Sequence, residues 1–523
     1  MKFAYFKPIC VWKRLCHQQI NNPQAQRWKQ PEGFPTNILI YNPLAKKKVP
    51  LILKNKNIAT WYMCGPTVYN TSHIGHACAY IRFDIIRRIL MEFFDINVIA
   101  VMGITDIDDK IIRRSQGSTQ FSDWKQLAKF YEQQFYEHIS SLNIMPPYLY
   151  CKVSDYIPQI IQFIDKIMSN NSAYLASDGS VYFDTQKYGK YGKFSRSEAE
   201  ERHAIKKSSL DFALWKASKK GEPSWDSPWG PGRPGWHIEC STMGSFTLGD
   251  NIDIHSGGFD LIFPHHENEE AQSCCYHQTD QWVNYWIHSG LLHLEDVKMS
   301  KSLQNTISIP ELLEKYTANE FRLMCLTTNY RNDIDFCHEI MQKSVTLMNK
   351  INHFYSNCKN YATGKLPVGV IDENIIYEEL NKAKERIYSA LCDDFATPKV
   401  IAQLSDLIDA VNKTVNDSQS SGKKLFANNI VCINAVAIYV SKILSALGIT
   451  KLTQKAGNEQ KFSGLVDDFV AFRGTVRQIA LSGREITKGE LLKACDDSRK
   501  SLAANGIQLK DHKNTSTWTL VEE

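Results

Sequence analysis

A strand, a tight turn and a helix follow one another early in the chain, and this order restricts the folds open to it. Ile58 to Cys64 predicts a short buried strand, Gly65-Pro66-Thr67 a turn, and Ala77 to Phe94 a helix by its apolar spacing. A second strand, Asn97 to Met102, follows after a tight connection. Because such crossovers join parallel strands, we expect a doubly wound α/β sheet that binds its ligands at the carboxyl ends of the strands.

Two histidines flank a glycine at that end of the first strand, in His73-Ile74-Gly75-His76. The amides and positive dipole end of a helix favour an anion, and Gly75 lets an adenine or a phosphate approach closely. The imidazoles of His73 and His76 can donate to developing charge. The motif alone leaves open that the two histidines only share a helix face or belong to an unrelated metal site.

A lysine-rich motif, Lys298-Met299-Ser300-Lys301-Ser302, follows the strand-like stretch from Trp286 to Leu294. The ammonium groups of Lys298 and Lys301 can neutralise pyrophosphate oxygens, and the Ser300 hydroxyl can donate. The alternative is a solvated basic turn. Together, the two motifs resemble the HIGH and KMSKS signatures of class I aminoacyl-tRNA synthetases, which favours the phosphate interpretation.

Four residues of borderline-soft ligand type are dispersed along the chain: Cys64 at the end of the first strand, before the histidine motif, and Cys240, His265 and Glu269 between the two motifs. Their types match zinc ligation. His265 and Glu269 are four apart, so on a helix both face the same side. Spacing alone does not bring Cys64 and Cys240 together, and a buried structural cysteine is the commoner role of either.

The chain resembles the cysteinyl-tRNA synthetase family over nearly its whole length after the first thirty residues. The segments that carry this resemblance are Met63 to Tyr69, Ile104 to Lys110, Asp211 to Lys216, Gly232 to Ser241, Phe263 to Glu269 and Asp393 to Pro398.

The resemblance implies one zinc ion per chain, held by Cys64, Cys240, His265 and Glu269, with the substrate thiolate joining the metal. Zinc lowers the pKa of a thiol and binds the thiolate, whereas a serine hydroxyl ionises far less readily and is a poorer ligand. A metal bond can therefore reject serine by more than a pocket of matched size could.

The same resemblance implies two groups of substrate-binding residues. The cysteine pocket is formed by Gly65, Thr105, Trp236, His255 and His265. The ATP site is formed by His73, Gly75, His76, Asp260, Lys298, Ser300 and Lys301. Asp260 is expected to accept from the ribose hydroxyls. Alternatively, Trp236 is a core aromatic residue and Asp260 a satisfied turn aspartate.

The predicted function is cysteine--tRNA ligation, in which the cysteine carboxylate attacks the α-phosphate of ATP and the cysteinyl-adenylate then reacts with the 3′-terminal adenosine of tRNA(Cys). Catalysis would rest on positioning and charge stabilisation by His73, His76, Lys298 and Lys301, with Mg²⁺ accompanying ATP.

Three alternatives stay open. A ligase that joins cysteine to a small amine would share the zinc and ATP residues, but the long helical and basic C-terminal region argues for tRNA. A noncatalytic tRNA-binding protein is disfavoured by the complete HIGH and KMSKS motifs. Some members of this family also form cysteine persulfide with pyridoxal phosphate, which the sequence neither indicates nor excludes.

Four positions depart from the usual pattern of the family. They are Asn70 in place of a common aspartate, Cys78 after the first motif, Arg113 in place of a lysine, and Ser256 in place of a frequent glycine. None is one of the predicted zinc ligands. Arg113 keeps the charge but not the compact ammonium, so a role tied to that lysine does not carry over.

The N-terminus resembles a mitochondrial presequence, because the first thirty residues are basic and no acidic residue precedes Glu32. The variant that places Cys78 after the first motif, together with Tyr80 to Leu90, resembles the mitochondrial branch of the family. A disordered basic tail, and hence a cytoplasmic protein, is the alternative. The 14 cysteines include no CxxC pair, which favours a reducing compartment. We therefore expect the mitochondrial matrix.

The 523 residues are long enough for several domains. We expect a presequence at 1–30, the first half of a Rossmann-like catalytic domain at 31–145, a connective insertion at 146–205, the second half at 206–295, the KMSKS loop and stem-contact region at 296–345, a helical bundle at 346–463 and an anticodon-binding region at 464–523. No apolar run reaches the roughly 20 residues of a membrane span. A monomer is favoured.

The last region combines cationic and aromatic side chains, which suit an RNA surface. They are Arg473, Arg477, Arg484, Lys488, Lys493, Arg499 and Lys500, with Phe469, Phe472 and Trp518. An ordinary solvated helix face is the alternative. Upstream, the polar stretch from Asn416 to Gly422 predicts a flexible loop. The net charge of +5 permits a polyanionic partner without arguing for one.

Overall fold

The computed structural model describes residues 28–195, 205–294, 297–298, 306–363, 370–419, 429–450, 459–481, 487–504, 507–511 and 516–520. These residues form two compact units that divide between Ile449 and Thr450. Most of the predicted presequence, together with Ser300, Lys301 and Arg484, lies outside the described residues, as do the side chains of Lys298 and Trp518.

The first part of the larger unit alternates strands and helices. It contains β1 (Phe34–Asn42), β2 (Lys47–Leu53), β3 (Ile58–Thr67), α1 (Ile74–Phe94), β4 (Asn97–Thr105), α2 (Asp109–Gln116), α3 (Trp124–Ser141), β5 (Leu149–Lys152), α4 (Ile157–Ser169), β6 (Ala173–Leu175), β7 (Val181–Phe183), α5 (Thr185–Tyr188), β8 (Phe212–Ala217) and β9 (Gly232–Pro234).

The second part completes the central sheet and continues into helices. It contains α6 (Trp236–Leu248), β10 (Ile252–Gly258), α7 (Glu267–His277), β11 (Val283–Ser289), β12 (Leu292–Leu294), β13 (Val297–Lys298), α8 (Ile309–Lys315), α9 (Ala318–Leu326), β14 (Ile334–Phe336), α10 (His338–Ala362), α11 (Glu373–Cys392), α12 (Thr397–Gln419) and α13 (Asn429–Ala446).

The central sheet has five strands in the order β11-β10-β3-β4-β5, and its pairs are parallel. Helix α1 packs on it with the face that carries Ile81, Ile85 and Ile89, in one core with Trp61 and Ala100. The doubly wound α/β fold predicted from the sequence is therefore confirmed, and the carboxyl ends of β3, β4 and β10 meet at one edge.

Strand β3 does not stop at Cys64, as the sequence predicted, but continues through Gly65-Pro66-Thr67. Cys64 lies opposite Gly103 and Thr67 opposite Thr105, so β3 carries one more residue than β4 between these pairs. The irregularity is a bulge, which keeps the proline within the strand while bending the backbone. The predicted turn is thus a distortion of the strand beside the site.

The strand predicted from Trp286 to Leu294 is divided into β11 and β12. Between the two strands, the backbone at Gly290 passes so close to Asn332 that an added Cβ would lie 2.3 Å from the backbone of Asn332. Beyond this point the chain joins a smaller sheet of order β13-β12-β14. A four-stranded antiparallel sheet, β6-β7-β8-β9, is inserted between the two halves of the central sheet. The predicted insertion, 146–205, includes its first two strands.

The predicted flexible loop from Asn416 to Gly422 is wrong in its first half. Helix α12 continues to Gln419, since Val411, Val415 and Ser418 are buried along one face while Asn416 and Asp417 are exposed. A polar stretch at the end of an amphipathic helix can resemble a loop, because the apolar residues that reveal the helical spacing lie earlier in the helix. The rest of that stretch, from residue 420, lies outside the described residues.

The smaller unit contains α14 (Glu459–Leu481), α15 (Lys488–Ala504), β15 (Ile507–Asp511) and β16 (Ser516–Leu520), with the two strands paired antiparallel. Phe469 is well exposed on α14, and Lys493 is exposed on α15. None of the described helices is both long enough and apolar enough to cross a membrane.

Candidate functional site

A cavity of about 340 Å³ lies at the carboxyl ends of β3, β4 and β10. It brings together most of the residues predicted for the site, although they are distributed over some 200 positions of sequence. Those on its wall are Cys64, Gly65, His73, Gly75, His76, Thr105, Trp236, Cys240, Asp260 and His265.

The two histidines of the first motif begin helix α1. His73 is the N-cap, and its Nδ1 accepts from the Gly75 amide at 3.1 Å, while His76 Nδ1 accepts from the His73 amide at 3.4 Å. With both Nδ1 atoms accepting, each neutral ring holds its proton on Nε2. A Cβ on Gly75 would lie 2.9 Å from the His73 ring, so this cap requires glycine.

The chain that follows the lysine motif is hydrogen-bonded to the histidine motif. The Ile74 amide donates to the Ile307 carbonyl at 3.0 Å, and the Ile309 amide to the Ser72 carbonyl at 3.4 Å. Lys298, the first residue of the lysine motif, is the last residue of β13. The chain five residues beyond the second signature is therefore hydrogen-bonded to the start of α1, although the two signatures are more than 200 residues apart in sequence.

Four donor atoms cluster at one side of the cavity. The Cys64 and Cys240 sulfurs are 3.8 Å apart, Cys64 Sγ is 3.6 Å from Glu269 Oε1, and that oxygen is 3.0 Å from His265 Nε2. Two sulfurs held tetrahedrally at the usual zinc–sulfur length of about 2.3 Å lie roughly 3.8 Å apart. The donor set and its spacing fit zinc.

Each of the four comes from a different local setting. Cys64 lies on β3 and Cys240 on α6, whereas His265 belongs to an irregular helical segment, Ile262–His266, and Glu269 to α7. The predicted helical spacing of His265 and Glu269 thus brings them together, although the turn between them is not regular. All four side chains are buried.

The charges in the cluster depend on one another. A hydrogen bond from Cys64 lowers the pKa of the Cys240 thiol to about 6, while burial raises the pKa of Cys64 well above its usual value. Burial disfavours the Glu269 carboxylate, yet His255 and His265 outweigh it and hold its pKa well below the usual range. Burial lowers the pKa of His265, but Glu269 and Cys240 outweigh it and raise this pKa to about 10. The cluster therefore favours a thiolate at Cys240 and a carboxylate at Glu269, the forms that bind a metal, whereas Cys64 stays a thiol.

Histidines that the sequence did not single out surround this cluster. His266 Nε2 lies 3.5 Å from Cys64 Sγ, and its Nδ1 is 2.8 Å from His288 Nε2. His237 Nδ1 is 2.9 Å from His265 Nδ1. Cys64, His255, His266 and Glu269 also form a possible ligand set. The signal for His237 and His266 was their position within motifs already noted, whereas His288 reaches the site only through the parallel sheet.

The predicted pocket residues differ in their positions. The Trp236 ring is 38% exposed and stacks on His265 with 4.3 Å between centroids, so it is not a core residue. Thr105 donates to Glu239 Oε2 at 2.8 Å. His255 is fully buried behind the cluster, where its Nε2 lies 2.8 Å from Glu269 Oε2. It contacts a predicted ligand rather than the cavity.

Two further residues on the cavity wall were not predicted. Lys110 Nζ lies 5.6 Å from the centre of the Tyr69 ring, and both side chains border the cavity. Lys110 ends the segment Ile104 to Lys110, so a signal for it was present.

Asp260, which the sequence predicted, borders the cavity and is exposed, and the missing Cβ of Gly258 admits its carboxylate.

None of the four departures from the family pattern borders this cavity. Cys78 is buried with its sulfur 3.8 Å from that of Cys325, and Ser256 Oγ accepts from the Trp61 indole at 2.8 Å. Arg113 donates to the Asp109 carbonyl, and Asn70 accepts from the Thr71 amide. Each substituted side chain is therefore accommodated outside the cavity.

Gly65→Ala is expected to weaken metal binding at the cluster. A Cβ at this position would lie 1.9 Å from the Gly103 carbonyl oxygen, so β3 must shift and carry Cys64 with it. Loss of the support of a metal ligand typically costs about 10- to 100-fold in affinity. Competition with a chromogenic zinc chelator measures the change. Gly117→Ala is the control, since its Cβ would lie 3.7 Å from the nearest atom; equal affinities in the two variants would contradict the expectation.

The sequence matches two family models. One, described as tRNA synthetases class I (C) catalytic domain, matches residues 51–346, and the other, the DALR domain, matches residues 386–449. A solved structure of Mycobacterium tuberculosis methionyl-tRNA synthetase bound by methionyl-adenylate is similar with a TM-score of 0.57 at 14% identity, covering 82% of this chain and 97% of that chain. At this identity the likeness concerns the fold alone.

Curated relatives cover nearly the whole chain. The probable mitochondrial cysteine--tRNA ligase of Xenopus tropicalis is 41% identical over 95% of this chain and 91% of its own length. The cysteine--tRNA ligase of Thermococcus onnurineus is 37% identical over 92% of this chain and 98% of its own length. With the catalytic-domain match, these relatives show that the chain belongs to the cysteine--tRNA ligases, a family of class I aminoacyl-tRNA synthetases.

Proposed function

We propose that this ligase activates L-cysteine with ATP to cysteinyl-adenylate and pyrophosphate, and then transfers the cysteinyl group to the 3′-terminal adenosine of tRNA(Cys) with release of AMP, for mitochondrial translation. The observation that carries the proposal is the common cavity of the four-donor cluster and the helix that begins with the histidine motif. A thiol held at the cluster would leave the carboxylate of the same amino acid facing the phosphate-binding helix end.

At the ATP end, the start of α1 offers backbone amides and the positive dipole end to phosphate oxygens. His73 and His76 would donate from Nε2 to charge that develops on the α-phosphate. We assign Lys298, Ser300 and Lys301 to the pyrophosphate, with Mg²⁺ accompanying ATP, and Asp260 to the ribose hydroxyls. Gly75 would admit the nucleotide closely because it has no side chain.

At the amino-acid end, Cys64, Cys240, His265 and Glu269 would hold one zinc ion. When bound there, zinc supplies a Lewis acid that prefers a thiolate sulfur to a hydroxyl oxygen. Gly65, Thr105 and Trp236 would enclose the rest of the amino acid, and His255 would orient the Glu269 carboxylate through their hydrogen bond.

The remaining proposals concern the partner and the place of action. The exposed cations and aromatic residues of the smaller unit suit the anticodon arm of the tRNA. We propose that the protein is a monomer. We also propose that it acts in the mitochondrial matrix, which is supported by the basic first thirty residues and by the mitochondrial name of the Xenopus tropicalis relative.

Pyrophosphate exchange with cysteine or serine, before and after zinc chelation, tests this proposal. We expect exchange with cysteine to exceed exchange with serine by more than the roughly 10²-fold that a size-matched pocket achieves against a single hydroxyl. Chelation should abolish the cysteine-dependent reaction, and added zinc should restore it. Equal exchange with serine, or full activity without zinc, would contradict the assigned role of the cluster.

A further inference from the structure

A second cavity, of about 550 Å³, lies beside the first and has no role in amino-acid activation as derived above. Its volume is within the range of about 300–1,000 Å³ that is usual for small-ligand sites. We name it the lysine–tryptophan cleft after the residues that border it: Trp124, Trp225, Lys125, Lys129 and Lys152, with Asp106 at its inner end.

The cleft and the active-site cavity adjoin at the end of β4. Thr105 borders the first cavity and Asp106, the next residue, borders the second. Consecutive Cα atoms are about 3.8 Å apart. Asp106 accepts from the Ser154 amide at 2.9 Å and from the Ser154 hydroxyl, which joins this point to the end of the neighbouring strand β5. The walls of the two cavities therefore come within one residue of each other at this point.

The two tryptophans form a corner whose walls are fixed by the backbone. Their ring centroids are 6.0 Å apart and the planes meet at 69°. Trp124 begins α3, where Asp123 caps the helix by accepting from the Gln126 amide at 2.9 Å. Trp225 exchanges two backbone hydrogen bonds with Gly232, of 2.8 and 3.0 Å. Both rings are only partly buried, and Lys125 Nζ lies 5.6 Å from the centre of the Trp124 ring, so an aromatic surface and a cation adjoin at this corner.

The charges around the cleft favour an anion. Lys125 and Lys129 are exposed one turn apart on α3, and Lys152 lies opposite them at the end of β5. Of the two acids that border the cleft, Asp106 is bonded to Ser154, and Glu132 accepts from the Tyr136 hydroxyl at 2.8 Å. The carboxylates are thus held by neighbouring hydroxyls, and because Lys152 Nζ also lies 3.7 Å from Asp155 Oδ2, Lys125 and Lys129 supply most of the positive charge at the cleft.

We propose that the lysine–tryptophan cleft binds an unstacked nucleotide of the single-stranded 3′ end of the tRNA, just before the adenosine that accepts cysteine. The base stacks in the corner of Trp124 and Trp225, and Lys125, Lys129 and Lys152 contact its flanking phosphates. Stacking on an aromatic ring combined with lysine contacts to the backbone is the usual way in which proteins hold single strands. The inference rests on the proposed transfer of cysteine to tRNA.

The test compares two reactions of the full-length enzyme in the variants Trp124→Ala and Lys129→Ala. Pyrophosphate exchange needs no tRNA, so we expect it to be unchanged and to show that the variants are folded. Aminoacylation should lose roughly tenfold or more in kcat/KM for tRNA, as expected for removal of one base-stacking platform. Trp124→Phe, which keeps a stacking face, should recover most of the loss. Tyr148→Ala and Lys413→Ala, both exposed elsewhere, are matched controls.

A binding measurement separates this site from contacts elsewhere on the tRNA. Quenching of tryptophan fluorescence is titrated with a tRNA transcript and with the same transcript lacking its last four nucleotides. We expect the wild type to bind the complete transcript more tightly and the Trp124→Ala and Lys129→Ala variants to lose that difference. Unchanged aminoacylation in both variants, or a preference for the complete transcript that survives them, would overturn the inference and leave the ligase proposal standing. A parallel fall in exchange would also overturn it, because the cleft would then serve the adenylate site.

Discussion

Cys240→Ala is expected to remove the zinc ion proposed for the cluster from the purified enzyme and to abolish cysteine-dependent pyrophosphate exchange. The sulfur of Cys240 lies 3.8 Å from that of Cys64 and is one of four donors in the cluster. Loss of a group that merely supports a ligand costs about 10- to 100-fold, so loss of a ligand should exceed about 100-fold. Metal analysis and exchange assays measure the two effects.

The control for this variant is another buried cysteine. Cys432→Ala removes a thiol from α13 in the helical region, far from the cavity. It should keep its zinc and its exchange rate, while the space left by the sulfur should cost some stability. A Cys240→Ala enzyme that retained stoichiometric zinc and normal exchange would show that His255 and His266, which form a second possible set with Cys64 and Glu269, hold the metal instead.

Asp84→Ala is expected to destabilise the larger unit by about 3–5 kcal/mol, the usual cost of removing one partner of a buried ion pair. Asp84 on α1 pairs with Arg322 on α9 at 2.5 Å, and both side chains are 1% exposed. Arg322 also donates to the Leu142 and Asn143 carbonyls at the end of α3. The substitution leaves a buried guanidinium without its carboxylate where three helices meet.

Urea unfolding followed by tryptophan fluorescence measures this loss. Glu339→Ala is the matched control, because the Glu339–Lys343 pair on α10 is 2.9 Å long but has both side chains more than two-thirds exposed. Exposed pairs contribute little, so the control should unfold at the urea concentration of the wild type. Equal midpoints for Asp84→Ala and Glu339→Ala would show that the carbonyl contacts of Arg322 suffice to hold its charge.

Local patterns accounted for the elements around the site more accurately than for their ends. The spacing of apolar residues predicted α1, yet the helix begins at Ile74 rather than Ala77, because His73 caps it with its own ring. The proline in Gly65-Pro66-Thr67 indicated a turn, but pairing with β4 keeps the segment in the strand as a bulge. In both cases a contact with a neighbouring group decided the boundary.

The site itself shows the same limit. Residue types and family motifs indicated Cys64, Cys240, His265 and Glu269, and the sequence alone established that soft donors and the two signature motifs occur in one chain. Their meeting was decided by the parallel order of β10, β3 and β4 and by the packing of α6 and α7, the helices before and after β10, against this edge and each other. The same order brings His288 to His266 and places Thr105 and Asp106 on the walls of two neighbouring cavities. Neither relation is visible in the sequence, because pairing of parallel strands depends on crossovers that bury both faces of the sheet, and not on any local pattern.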